Sequence, residues 1–167
     1  MLFDQDLLKK IKSESNIYPS SELRKRTLKP HSLFRNWKPL KLEDVHGFLC
    51  ILVHKCLVNK KELADYRSTE AIDKTDFASI IMSWNRFMQI LLMLHLNNNA
   101  TCVPWGSPNH NPLHKYRPVL DLLNSKYKEL YIPDRKMSID EAICRWRGRL
   151  IFRVYMKDKP NKWCIEL

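Results

Sequence analysis

Glycine is scarce in this chain, with three in 167 residues. Neither a G-x-G-x-x-G turn nor a P-loop is present, so the glycine-rich loops that cradle nucleotide phosphates are excluded. The five cysteines, at positions 50, 56, 102, 144 and 164, make an odd set with no C-x-x-C pair. That pattern argues against a disulfide framework and against a zinc finger, and it fits a reduced intracellular compartment. No apolar run approaches the roughly 18 residues of a membrane helix, so a spanning protein is not expected. The N-terminus carries Asp4 and Asp6 and has no apolar segment of the signal-peptide kind. Acid is also in short supply, with 18 Asp+Glu against 29 Lys+Arg and a formal net charge of +11.

What the chain does have suits a folded protein. It is 44% hydrophobic and 28% charged, enough to bury a core, and its length allows one domain or one and a fraction. The basic excess sits at the ends. Residues 1–40 hold nine Lys/Arg and four Asp/Glu, residues 41–133 eleven and nine, and residues 134–167 nine and five. The imbalance points to a polyanion such as nucleic acid, or equally to a solvated surface and a cationic tail.

The pattern up to Pro133 is helical. Residues 1–33 read as a basic N-terminal extension: a short helix with an apolar patch at Leu7, Leu8 and Ile11, then a loop and a linker around Arg24-Lys25-Arg26 and Lys29-Pro30. Residues 42–58 place Val45, Phe48, Leu49, Leu52, Val53 and Cys56 on one helical stripe, with Glu43 and Asp44 in the first turn. In that reading Cys50 and Cys56 act as small hydrophobes. A short helix is expected near Lys61–Tyr66, another from a Thr75 cap to Ile81, and a third from a Ser83 cap along Phe87, Ile90, Leu91 and Leu94. Three consecutive Asn, then Pro104, Gly106, Pro108 and Pro112, mark residues 97–112 as an exposed loop. Pro118 can start a helix whose apolar side is Val119, Leu122, Leu123, Tyr127 and Leu130. His46, His54 and His95 read as core or surface residues rather than zinc ligands. Packing is the expected work of Trp105 and Trp146, with base stacking as the alternative.

After Pro133 the period changes to two. Met137, Ile139 and Ile143 alternate with Ser138, Asp140, Ala142 and Cys144; a turn is expected at Arg147-Gly148-Arg149, with Gly148 supplying backbone freedom; Leu150–Met156 and Trp163–Leu167 follow as strands. The expected fold class is therefore mainly α with a C-terminal antiparallel β meander. Three strands alone are marginal, so the sheet is expected to be the opening of a domain cut short.

The same stretch resembles the piggyBac transposase family. The matching residues are Met137-Ser138-Ile139-Asp140-Glu141, Arg147-Gly148-Arg149, Phe152-Arg153-Val154-Tyr155-Met156 and Lys159-Pro160-Asn161-Lys162-Trp163. Upstream and in order, Met82-Ser83 with Asn85-Arg86-Phe87 and Leu94-His95 is similar to the family's Met-Ser-x-Asn-Arg-Phe…Leu-His helix. Asn111-Pro112-Leu113 with Lys115 and Arg117-Pro118 is similar to its Asp-Pro-Leu-x-Lys segment, and Tyr131-x-Pro133 to its Tyr-x-Pro lead-in. The chain departs from the family at Arg67, where Trp is common, at Trp84, where a basic or small residue is usual, at Asn111, which replaces an acid, and at Cys164, where Gly is usual.

The resemblance implies a helical dimerisation and DNA-binding module over residues 34–133 and the first strands of an incomplete RNase H-like domain over 134–167. It implies cut-and-paste DNA transposition in the nucleus, with three aspartates holding two Mg²⁺ ions in intact relatives. Asp140 would be the first of those aspartates; read without the resemblance it is a strand-edge acid. A two-metal site needs several carboxylates, so this chain alone is expected to bind no metal and to be inactive. Its expected partners are double-stranded DNA, a second copy or an intact transposase, and no membrane. Arg145, Arg147, Arg149, Arg153, Lys157, Lys159 and Lys162, with Lys115 and Arg117, are the candidate phosphate contacts, or else a basic solvated surface. The alternative function is a domesticated, non-enzymatic module for protein or chromatin interaction.

Overall fold

Asp4 starts the first helix by accepting the Leu7 amide at 2.9 Å. A computed structural model of the protein describes residues 4–25, 27–72, 74–136, 138, 143–146, 148, 150, 152–160 and 162–166. The chain forms two compact units, residues 1–126 and 127–167. The first holds helices α1 (Gln5–Glu22), α2 (Leu42–Leu57), α3 (Phe77–Ile81) and α4 (Trp84–Met93). Helix α5 (Arg117–Leu130) runs across the division. Strands β1 (Ile143–Arg145), β2 (Val154–Tyr155) and β3 (Trp163–Glu166) belong to the second unit. No helix among the described residues is long and apolar enough to cross a membrane.

The N-terminal segment differs from the expected extension. Helix α1 is 18 residues long, and Leu7, Leu8, Ile11, Ser15 and Pro19 form a buried stripe along it. The first three join the same core as Val45, Phe48, Phe87 and Ile90. Polar ties fix its register. Asn16 donates to the Leu40 carbonyl at 3.1 Å and accepts the Leu40 amide at 2.7 Å. Ser15 donates to the His95 carbonyl and accepts the His95 amide, at 3.1 and 3.0 Å. Tyr18 stacks on the His95 ring, with centroids 3.6 Å apart.

Helix α2 also turns differently from its predicted stripe. Val45, Phe48 and Ile51 are buried, while Val53, Cys50 and Cys56 are exposed. Apolar residues surround this helix from Val45 to Leu57, so periodicity alone has no polar face to orient it. Contact with α1 and α3 chooses the buried side. Gly47 lets α3 come close, because a Cβ there would lie 2.9 Å from Ile81 Cγ2. Ser83 caps α4 as expected, accepting the Arg86 amide at 3.3 Å. Thr75 does not cap α3; Asp76 holds that position, and Thr75 Oγ1 is buried without a hydrogen-bond partner. Near residues 61–66 a 3₁₀ turn, Ala64–Arg67, stands in place of a helix. On α5, Val119 and Leu122 pack on the core, while Tyr127 and Leu130 are exposed.

The sheet is antiparallel as expected, but it is not a meander. Its order is β1-β3-β2, with β3 paired to both neighbours. Cys164 at the centre is fully buried and lies between Arg145 and Val154. β3 takes hydrogen bonds on both edges, so the last strand in sequence is the central one. Trp146 donates its amide to the Trp163 carbonyl, extending the β1–β3 ladder. Its indole crowds Gly148, where a Cβ would lie 2.7 Å from Nε1. Gly148 therefore serves close approach; Gly106 is the described glycine with positive φ, at 87°. Arg147 and Arg149 of the expected turn lie outside the described residues.

Leu7→Ala tests the revised place of α1. A cavity at a fully buried leucine costs about 2–5 kcal/mol, whereas loss of an appended tail costs almost nothing. Urea unfolding is expected to show the former for Leu7→Ala and a change under about 0.5 kcal/mol for the exposed Lys10→Ala.

Candidate nucleic-acid interface

The basic residues of the second unit stand on short strands and their connections. Arg145 ends β1 and is exposed; Arg153 precedes β2 and is exposed; Lys157, Lys159 and Lys162 are exposed between β2 and β3. Arg153 is held in place. Its guanidinium lies 4.1 Å from the Trp163 ring centroid, and Nη1 donates to the Gly148 carbonyl at 3.3 Å. Trp163 and Tyr155 are register partners across β3 and β2, with ring centroids 4.9 Å apart and planes at 59°. They remain 43% and 50% exposed. Sequence reasoning did not single out this pair as exposed. The signal was the alternation Arg153-x-Tyr155 on a strand that a tryptophan strand faces.

Lys115 and Arg117 belong to the first unit and are both exposed. Arg117 lies at the start of α5, 3.9 Å from Asp121, one helical turn on. An exposed pair of this kind is weak and leaves the guanidinium open to a phosphate. Asp140 lies outside the described residues. Among the described residues, no group of three His, Cys, Asp or Glu could hold a metal ion. His54 packs against Phe77 at 4.5 Å, and His46 is exposed. Trp105 is 66% exposed and meets His110 edge-on, so it does not pack as expected. Trp146 has a buried Nε1 without a hydrogen-bond partner.

The upstream motif residues do scaffold work. Arg86 is the centre of it. Its guanidinium donates to Asp44 Oδ2 at 2.8 Å and Oδ1 at 3.3 Å, to the Lys38 carbonyl at 2.7 Å and to the Pro39 carbonyl at 3.3 Å. It also lies over the Trp37 ring at 5.4 Å. Asp44 in turn accepts the Lys41 amide at 2.8 Å, closing the start of α2. Burial raises the Asp44 pKa, but hydrogen bonds from Arg86 and the Lys41 amide, with the charges of Arg86 and Lys41, outweigh it and leave the carboxyl below its ordinary value. Tyr66 is similar in role: its hydroxyl donates to the Val58 carbonyl at 2.6 Å and accepts the Lys60 amide at 3.1 Å. Asn111, where the family has an acid, accepts the Leu113 amide at 2.9 Å, so the amide replaces the acid without loss of the turn.

Two further departures from the family pattern touch each other. The Arg67 guanidinium lies 5.8 Å from the Trp84 ring centroid. The two unusual residues thus form a cation–π pair with each other. Burial pulls the Arg67 pKa down, and its Nη2 is buried without a hydrogen-bond partner.

These contacts can be tested by substitution. Arg86→Ala strands a partly buried carboxylate and two carbonyls, and is expected to cost about 3 kcal/mol in urea unfolding at pH 7. Because the folded Asp44 carboxyl titrates below its unfolded value of 3.8, its stabilisation is complete above that pH and fades as pH falls below it. The gap between wild type and Asp44→Asn is therefore expected to narrow from pH 7 to pH 3. For the Arg67–Trp84 pair, Trp84→Arg sets two guanidiniums together and destabilises. Adding Arg67→Trp is expected to recover about 1 kcal/mol in a double-mutant cycle.

Comparison with known proteins agrees with the motif residues and the fold. A family model described as Transposase IS4 matches residues 1–167. A chain of a piggyBac transposase synaptic complex with hairpin DNA, solved by cryo-electron microscopy, shares the fold with a TM-score of 0.78. The two are 21% identical, and the match covers 99% of this chain and 33% of that one. This chain thus spans about a third of that transposase's length. The protein belongs to the piggyBac-type Transposase IS4 family.

Proposed function

We propose that this chain is a DNA-binding part of a piggyBac-type transposase, acting on double-stranded DNA in the nucleus. The observation that carries the reading is the exposed basic sheet unit, residues 127–167, within a chain whose whole length matches a transposase family. The solved relative is itself in complex with hairpin DNA. Arg145, Arg153, Lys157, Lys159 and Lys162 supply phosphate contacts, with Arg147 and Arg149 on the same segment as further candidates; Lys115 and Arg117 of the first unit are separate candidates. Such contacts release counterions and bind with little regard to sequence. The helical unit, with expected bounds 34–133, serves dimerisation with a second copy or an intact transposase. Residues 134–167 open an RNase H-like catalytic domain.

The family's chemistry implies a divalent metal in intact relatives. Two metals clamping the oxygens of a phosphoryl transfer need several fixed carboxylates. The described residues offer no such cluster, so they do not fit a two-metal centre. Asp140 is one candidate carboxylate, the first of the family's three. On this reading the 167 residues by themselves bind DNA without cutting it.

Fluorescence anisotropy with a labelled duplex across a salt series tests the reading. The log of affinity is expected to fall linearly with the log of salt, by about 0.9 per phosphate engaged. Replacing Lys157, Lys159 and Lys162 by Ala is expected to flatten that slope by about 2–3. Added Mg²⁺ is expected to leave the duplex intact. Salt-independent binding, an unchanged slope or robust cleavage would overturn the reading.

A further inference from the structure

We infer that the Arg153–Trp163–Tyr155 face of the sheet is a stacking site for an unpaired base of a DNA strand. The inference rests on the DNA-binding function proposed above and names a subsite within it. Three observations carry it. Tyr155 and Trp163 are opposed across two strands, on one face, and each is about half exposed. Their planes meet at 59°, so the two rings are not stacked face to face and both keep exposed area. Arg153 is held against the indole by ring and carbonyl together and is itself exposed, so it adds a cation to the same face.

A half-exposed aromatic pair gains by covering its rings, and a nucleobase offers a flat π-face of any sequence. In a duplex those faces are hidden in the base stack. Only an unpaired base can use the site. The connection that joins the two strands carries Lys157, Lys159 and Lys162 against one acid, Asp158. Those cations complement the phosphates on either side of a stacked nucleotide. Charge thus holds the strand and the rings select its unpaired state. The duplex reading needs the charge alone.

The test compares a short labelled oligothymidylate with a duplex, using the whole chain. Tyr155→Leu is expected to weaken oligothymidylate binding about tenfold and duplex binding less than about twofold. Tyr155→Phe, which keeps the ring, is expected to bind as wild type does. On the wild-type chain, photocrosslinking with a 5-iodouracil oligonucleotide is expected to mark Tyr155 or Trp163. Unchanged oligothymidylate affinity in Tyr155→Leu, equal losses on both DNAs, or crosslinks that avoid both rings would overturn the inference. The duplex salt series judges the broader function separately: a salt-dependent duplex affinity with no Tyr155 effect defeats this site alone. Tyr155-dependent binding of oligothymidylate without duplex binding defeats the broader reading alone.

Discussion

The helical unit hangs on one guanidinium. Arg86 reaches from α4 to the carboxylate of Asp44 on α2 and to the carbonyls of Lys38 and Pro39. It therefore joins a helix, the start of another helix and the extended approach to it. The pair is only partly exposed, 17% for Arg86 and 24% for Asp44, so water screens it less than a surface bridge. Removing either partner leaves polar groups that were positioned for the other. The packing around it follows in sequence. Leu40 is placed by that approach and receives Asn16 of α1; Phe87, one residue after Arg86, meets Phe48 at 5.2 Å. Ser15 and Tyr18 of α1 then close on His95, just past α4.

This explains why the motif Met-Ser-x-Asn-Arg-Phe…Leu-His is read so readily in the chain. Ser83 caps, Arg86 clamps, Phe87 fills the core, and His95 receives α1. Each has a partner in the fold: Ser83 and Arg86 bond to backbone groups, Phe87 is buried, and the His95 main chain and ring meet Ser15 and Tyr18. Arg67 and Trp84 depart from the family pattern together. Neither position keeps its usual residue, and the two residues that stand there contact each other as cation and ring.

Legibility followed the local physics. Ser83 and Pro118 mark helix starts by short-range chemistry, and both helices lie where those residues put them, α4 from Trp84 and α5 from Arg117. The stripe of α2 was not legible, because apolar residues nearly encircle it and only its neighbours decide which side is covered. Helix α1 was misjudged for a related reason. Its long-range ties, Asn16 to Leu40 and Ser15 to His95, span 24 and 80 residues and leave no local mark. The strand order failed similarly: alternation shows strands but not which of them pairs with two others. Of the candidate interface, the cations were legible from charge alone. The half-exposed rings of Tyr155 and Trp163 were not, since an alternating aromatic reads as core until exposure is known.

The molecule thus divides its identity from its contacts. The residues that mark the family most plainly upstream are scaffold, while the exposed charge and rings gather on the small sheet. Hydrogen–deuterium exchange with and without duplex DNA tests that division most directly. Protection is predicted over the connection from β2 to β3, Met156 through Lys162, with no change over α4 and its Ser83 cap. Protection centred on α4, with the β2–β3 connection unchanged, would contradict it.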